Sequence, residues 1–131
     1  ALDGPVADAG HALVAEILAG LRAAFRGEPA MRDLAAVPFD SVGLNLYRDG
    51  RDSVAMHNDT LRHLAPGQPI VVLSLGAERR MALRAKAAPR ASVAFDLRAG
   101  DVVAMSHASQ STHDHGIAKT TREVGPRISL A

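Results

Sequence analysis

The chain has 131 residues, 47% of them apolar, a formal net charge of +1 and no cysteine. This length and apolar share suit one packed domain. The lack of cysteine excludes a disulfide scaffold, thiolate zinc and cysteine catalysis. No apolar run reaches the ~20 residues of a membrane span, and no basic-then-apolar leader opens the chain. The expectation is a soluble, cytoplasmic monomer with no membrane partner.

Asp8-Ala9-Gly10 opens a predicted helix that continues from His11 to Arg26. Two apolar series run along it at helical spacing: Leu13, Ile17, Leu21 and Ala24, and Val14, Leu18, Leu21 and Phe25. Gly27 and then Pro29 supply the stop. After Pro38 the pattern changes to short strands: Ser41 to Tyr47, a turn at Arg48-Asp49-Gly50-Arg51, and then Pro69 to Leu75. The last of these is nearly all apolar, as in a strand buried on both faces. Arg79 to Arg84, Val93 to Leu97, Asp101 to Met105 and Arg127 to Ala131 complete the set, with a tight turn at Arg98-Ala99-Gly100-Asp101. One helix followed by many short strands predicts a mainly β sandwich or jelly roll with an N-terminal supporting helix. The expected division is a helical support over residues 1–38 and a jelly-roll core over 39–131, together one catalytic domain.

Between Thr60 and Ala91 stand Arg62, Arg79, Arg80, Arg84, Lys86 and Arg90 against Glu78 alone. Such a stretch suits phosphates as well as it suits a solvated basic edge. Ser74 sits in an apolar run without the Gly-x-Ser-x-Gly turn of a hydrolase, and no phosphate-cradling glycine loop is present.

The chemistry concentrates in His57-Asn58-Asp59 and, far along the chain, His113-Asp114-His115-Gly116. Residues i and i+2 of an extended segment point the same way, so His57 and Asp59 can converge on one ion. A distant His completes two imidazoles and one carboxylate, the facial set of non-haem iron(II) oxygenases, which leaves coordination positions open. His113 and His115 compete for the third place, because their spacing gives both the same strand face. His63 and His107 read as residues of the surface or of the site's surroundings, and His11 sits on the helix with no partner. Asp101 reads as a turn-stabilising side chain and Met105 as core.

Asn45-Leu46-Tyr47-Arg48-Asp49-Gly50, His57-Asn58-Asp59, Pro69 to Gly76 ending in Ser-Leu-Gly, Leu97 to Met105 with its Gly-Asp turn, His115-Gly116-Ile117 and Arg127-Ile128-Ser129-Leu130-Ala131 follow one another in the order of a known family. From about Phe39 to Ala131 the chain resembles the AlkB family of iron(II)- and 2-oxoglutarate-dependent dioxygenases. The resemblance implies a double-stranded β-helix in which His57, Asp59 and His115 hold iron. It favours His115 over His113 and sets Asn45, Tyr47, Arg127 and Ser129 around 2-oxoglutarate. Arg127 would pair with the distal carboxylate, where its planar fork suits two oxygens. Fe(II), 2-oxoglutarate and O2 are the implied cofactors. Oxidative demethylation of N-alkylated bases, releasing formaldehyde, succinate and CO2, is the implied activity, with single-stranded or flipped-base alkylated DNA or RNA as partner.

The departures from the family are specific. Ser129 stands where the family has Asn in its Arg-x-Asn-x-Thr-x-Arg strand, and the second Arg of that motif would lie two residues past Ala131. Leu61 stands where well-known members place a second carboxylate toward the base. Little of the family's N-terminal recognition lid is visible, so the expectation is a catalytic core without the lid and the end of the last strand. Leu61, Met56 and Arg48 are the candidate substrate contacts. The alternative is a 2-oxoglutarate-dependent hydroxylase or demethylase of a protein or small molecule. A metal-binding jelly roll without turnover is a further class, disfavoured by Asn45, Tyr47 and Arg127 beside the metal motif.

Overall fold

The computed structural model describes the backbone from residue 5 to 131 and side chains from residue 10 onward. The chain divides into two compact units, Ala1–Val42 and Gly43–Ala131.

In the first unit, α1 spans Pro5–Gly27 and a 3-10 helix spans Pro29–Ala36. The helix starts at Pro5, three residues before the expected Asp8, and a proline suits the first turn, where its missing N–H is not needed. Of the two apolar series, the one ending at Phe25 is the sheltered one: Phe25 is buried, whereas Leu13 is 57% exposed. The Glu28 side chain accepts from the Ala30 N–H at 3.4 Å, capping the 3-10 helix, and Arg22 Nη1 donates to the Ala35 carbonyl at 2.5 Å. No described helix is long and apolar enough to cross a membrane.

The second unit has eight strands: β1 Leu44–Tyr47, β2 Val54–His57, β3 Ile70–Gly76, β4 Arg79–Ala85, β5 Ser92–Leu97, β6 Val102–Met105, β7 His113–Ile117 and β8 Arg127–Leu130. A 3-10 turn, Leu61–His63, follows β2, and a four-residue helix, α2 Ser109–Thr112, precedes β7. The strands form two antiparallel sheets, ordered β1-β8-β3-β6 and β2-β7-β4-β5. First pairs with last, second with seventh, third with sixth and fourth with fifth, as when one long antiparallel ribbon folds back on itself. This is the jelly roll expected from the sequence.

The expected strands are found within a few residues of their bounds. Only β2, β7 and the short helices lacked a strand or helix signal of their own. β3 is less deeply buried than its apolar run implied. Leu73 and Ser74 are buried, but Leu75 lies outward beside Ile128 and is 37% exposed. The Arg98–Asp101 turn is closed as expected. Asp101 Oδ2 accepts from the Arg98 N–H at 2.8 Å, and Gly100 takes a φ of 89°.

The core joins both sheets: Tyr47 and Met105 from one meet Met81, Leu97 and Ile117 from the other. Aliphatic and Met side chains do most of the filling, as the 3% aromatic content requires. The basic stretch from Thr60 to Ala91 does not form one cationic face. Arg79 is buried, Arg80 pairs with Asp96 and Arg84 with Asp114. Pairing across neighbouring strands absorbs those charges and leaves Arg62, Lys86 and Arg90 exposed.

Candidate active site

The two sheets contribute different halves of the site. On the inner face of the second sheet, β7 presents His115 and Ile117 together, and Ile117 belongs to the core, so His115 also points inward. β2 pairs with β7 through Val54↔Ile117 and His57↔His115, which leaves one extra residue in β2. Val54 already packs inward, and regular alternation would therefore send His57 outward. The bulge reverses that parity and aims His57 at His115. Gly116 makes room for it. A Cβ there would lie 2.9 Å from the Val54 carbonyl oxygen and 3.0 Å from the Met56 nitrogen. The His-Gly pair of the motif thus has a steric reason.

Asp59 stands two residues past the end of β2. His57 Nε2 lies 3.7 Å from Asp59 Oδ1, and His115 Nε2 lies 3.4 Å from Asp59 Oδ2. The imidazole rings are 4.4 Å apart between centroids, tilted by 54°. One ligand atom from each of the three residues falls within 4.8 Å of the others, a set able to hold a metal ion. His57 Nδ1 is 2.8 Å from the Ala55 carbonyl, which can only accept, so Nδ1 carries a proton and Nε2 is the ring nitrogen turned toward Asp59. Burial pushes the His115 imidazole below its ordinary pKa, partly offset by the Asp59 carboxylate, and favours the neutral form that binds metal. His113 lies outside this group. Its Nδ1 meets the Thr112 hydroxyl at 2.9 Å and its carbonyl accepts from Asn58 Nδ2.

The first sheet supplies a polar row. β1 and β8 align Asn45 with Ser129 and Tyr47 with Arg127, while β3 aligns Ser74 with Ser129 and Gly76 with Arg127. Arg127 is 1% exposed. Its Nη2 donates to Ser74 Oγ at 2.8 Å, and its guanidinium carbon lies 4.9 Å from the Tyr47 ring centroid. Nε and Nη1 have no partner; among the described residues the only other buried side-chain nitrogen or oxygen in that condition is Arg84 Nε. Burial lowers the Arg127 pKa, yet a guanidinium remains charged at any physiological pH. A buried cation with two idle donors is costly unless an anion completes it. Gly76 lets β8 begin this close: a Cβ at its φ of 81° would meet the Pro126 carbonyl oxygen at 2.4 Å.

β1 and β2 are each an edge strand of their sheet, and a cleft of about 400 Å³ runs along them and their turn, lined by residues 45–48 and 52–54. Arg48 is exposed and forked onto Asp52 with contacts of 2.8 Å. Met56 precedes His57 in β2, and Leu61 opens the turn after Asp59; both are half-buried. Ser129 is buried, and Asn45 is exposed on the edge strand β1.

Residues 7–131 match the family described as the 2OG-Fe(II) oxygenase superfamily. The chain belongs to that superfamily. Several curated relatives it matches carry AlkB names. The chain is 33% identical over 99 residues to human DNA oxidative demethylase ALKBH2, covering 70% of this chain and 38% of that protein. It is 32% identical over 100 residues to mouse alpha-ketoglutarate-dependent dioxygenase alkB homolog 3, covering 70% and 35%. The solved structure of OsALKBH1 shares the fold, with a TM-score of 0.56 at 19% identity, over 88% of this chain and 59% of that one. The matched stretch therefore spans well under half the length of these two curated relatives.

The superfamily's cofactors are Fe(II), 2-oxoglutarate and O2, and the residues here fit them. Two imidazoles and one carboxylate suit iron(II) while leaving positions open. The idle donors of Arg127 suit a carboxylate. Sequence reasoning had not singled out Arg79 or Gln110. Arg79 donates from Nη1 to the Asp49 carbonyl at 3.0 Å, and from Nη2 to those of Asp52 and Ala118 at 2.8 Å. Its guanidinium carbon lies 5.6 Å from the Tyr47 centroid. In the sequence it was one member of a basic run, indistinguishable from its solvated neighbours.

Proposed function

We propose that this chain is the catalytic core of an Fe(II)- and 2-oxoglutarate-dependent dioxygenase that oxidatively demethylates N-alkylated nucleic-acid bases. The observation that carries the reading is Arg127. It is a buried guanidinium with two free donors, on the sheet facing the one that carries His57, Asp59 and His115.

Iron(II), when bound, supplies the activation of O2 that couples decarboxylation of 2-oxoglutarate to oxidation of the substrate carbon. His57 Nε2, His115 Nε2 and the Asp59 carboxylate would hold it. Arg127 would hold the distal carboxylate of 2-oxoglutarate through its guanidinium fork. Tyr47 fixes that fork from the side through its ring, and Asn45 and Ser129 offer polar contacts along the same strands. Tyr47, Met105 and Ile117 are buried together in the core, and the Arg127 guanidinium beside the Tyr47 ring is likewise shielded from bulk water.

The net reaction puts one oxygen atom of O2 into succinate and the other into the N-methyl carbon, with loss of CO2. The resulting N-hydroxymethyl group releases formaldehyde and returns the proton to the base nitrogen. Stacking and pairing shield a base held inside a duplex from the metal residues, so the substrate is a single strand or a flipped nucleotide. Met56, Leu61 and Arg48 flank the metal residues and the cleft, and are assigned to substrate contact. Support for a nucleic-acid substrate comes from the relative named as a DNA oxidative demethylase.

The test is mass spectrometry of methylated single-stranded DNA and RNA oligonucleotides incubated with the chain, iron(II), ascorbate and 2-oxoglutarate. The reading expects loss of one methyl group with equal amounts of formaldehyde and succinate. Succinate formation stimulated by a peptide or small molecule, with untouched oligonucleotides, would move the substrate assignment to that class.

A further inference from the structure

Asp59 lies between two elements and belongs to neither: β2 ends at His57 and the next turn begins at Leu61. No strand ladder holds its backbone. Its N–H instead donates to Gln110 Oε1 at 3.0 Å, across a sequence separation of 51 residues. Gln110 is 3% exposed, in the short helix α2, and is itself fixed on several sides. Its N–H reaches the His107 carbonyl at 3.3 Å, its carbonyl accepts from Lys86 Nζ at 3.2 Å, and its Nε2 meets the Met105 sulfur at 4.0 Å. The adjacent Asn58 donates from Nδ2 to the His113 carbonyl. Two amide side chains therefore tie the Asn58-Asp59 segment to the segment that carries His115.

We propose that Gln110 is a positioning residue for the metal site, holding the Asp59 backbone so that its carboxylate stays aimed at His57 and His115. The proposal rests on the reading that these three residues bind iron. The physical need is specific. The Asp59 side chain is 36% exposed, and its segment has no sheet neighbour to limit its motion. A ligand on a loose segment must be ordered when the ion binds, which weakens affinity. A buried acceptor makes that ordering part of folding instead. Only an oxygen can accept from the Asp59 N–H, so the contact also fixes which end of the Gln110 amide faces it.

The test compares three variants of the full chain. Gln110→Leu removes the acceptor at similar volume, Gln110→Asn withdraws the amide by one methylene, and Gln110→Glu keeps an accepting oxygen at the same reach. Mn2+ affinity is read from the electron paramagnetic resonance signal of free Mn2+, and the metal-free melting temperature is recorded for each. Gln110→Leu and Gln110→Asn should raise the Mn2+ dissociation constant about 10- to 100-fold, the usual range for outer partners of a metal ligand. Gln110→Glu should bind at least as tightly as the parent. If Gln110→Leu fails to fold, Gln110→Asn carries the comparison.

Unchanged Mn2+ affinity in the Leu or Asn variant overturns the proposal. So does equal weakening in the Glu variant, because simple damage to packing would then explain all three. A parent chain that takes up no Mn2+ overturns the metal reading and the brace with it.

Discussion

Tyr47 and Arg127 face each other in register across β1 and β8, with the guanidinium carbon 4.9 Å from the ring centroid. The ring offers its electron-rich face, which helps keep a cation inside the barrel before any anion arrives. Replacing Arg127 by Met should therefore split two properties. The apparent affinity for 2-oxoglutarate should fall at least about 30-fold, since truncating one partner of a buried charge pair costs roughly 2–5 kcal/mol. The ligand-free chain should melt no lower than the parent, because a buried charge with idle donors has been replaced by an apolar side chain. Isothermal titration with 2-oxoglutarate in the presence of Mn2+, alongside thermal melts, checks both. An unchanged 2-oxoglutarate affinity would remove Arg127 from the anion site.

Asp59 supplies the only carboxylate of the metal set, between two imidazoles. In the parent, Mn2+ at 100 times its dissociation constant should stabilise the fold by about 2.7 kcal/mol, by mass action on the native state. Asp59→Ala should abolish that increment at the same metal concentration. It should also remove succinate formation. A variant still stabilised to the parent's extent would place the ion elsewhere.

The sequence made the residue types of the site legible, and left their geometry hidden. His57-x-Asp59 read as two side chains on one extended face, and the structure does bring them together, by another route. The strand ends at His57, Asp59 lies beyond it, and a bulge gives His57 its inward aim. An extra residue in a strand leaves no mark in a four-residue segment, where alternation has hardly begun. Gln110 was silent for a different reason. Ser109–Thr112 is too short for helical periodicity, and its polar composition reads as a loop. The partner of Gln110 is 51 residues away, a relation that only folding creates. The strands with clear apolar runs were placed well because burial writes directly into composition. Arg79 and Arg80, adjacent in sequence, show the converse: one is buried on three carbonyls and the other is an exposed partner of Asp96.

Gly116 tests whether the bulge controls the metal site. Gly116→Ala would set a Cβ 2.9 Å from the Val54 carbonyl oxygen, closer than side-chain carbons pack against backbone oxygen. β2 must retreat or straighten, and either change turns His57 away from His115. The expected outcome is a loss of about 1–3 kcal/mol in stability from overpacking, together with a Mn2+ affinity lowered at least tenfold. Urea unfolding and metal titration measure the two separately. Full metal affinity despite lost stability would show that His57 finds its aim without the bulge.

Arg79 holds the β1–β2 turn to the chain after β7 through the carbonyls of Asp49, Asp52 and Ala118. That turn joins the strand bearing Tyr47 to the strand bearing His57, so Arg79 ties the anion half of the site to the metal half. Hydrogen bonds from a charged donor are each worth about 1.5–3 kcal/mol, and Arg79 makes three of them at 3% exposure. Arg79→Met should cost at least about 3 kcal/mol, a large part of the 5–15 kcal/mol typical of a domain. Arg79→Lys should recover little of it, because a point-like ammonium cannot reproduce a planar fork directed at three separated carbonyls. Urea denaturation of both variants is the measurement. A Lys variant as stable as the parent would reduce the role of Arg79 to charge alone and remove the argument that its fork sets the turn.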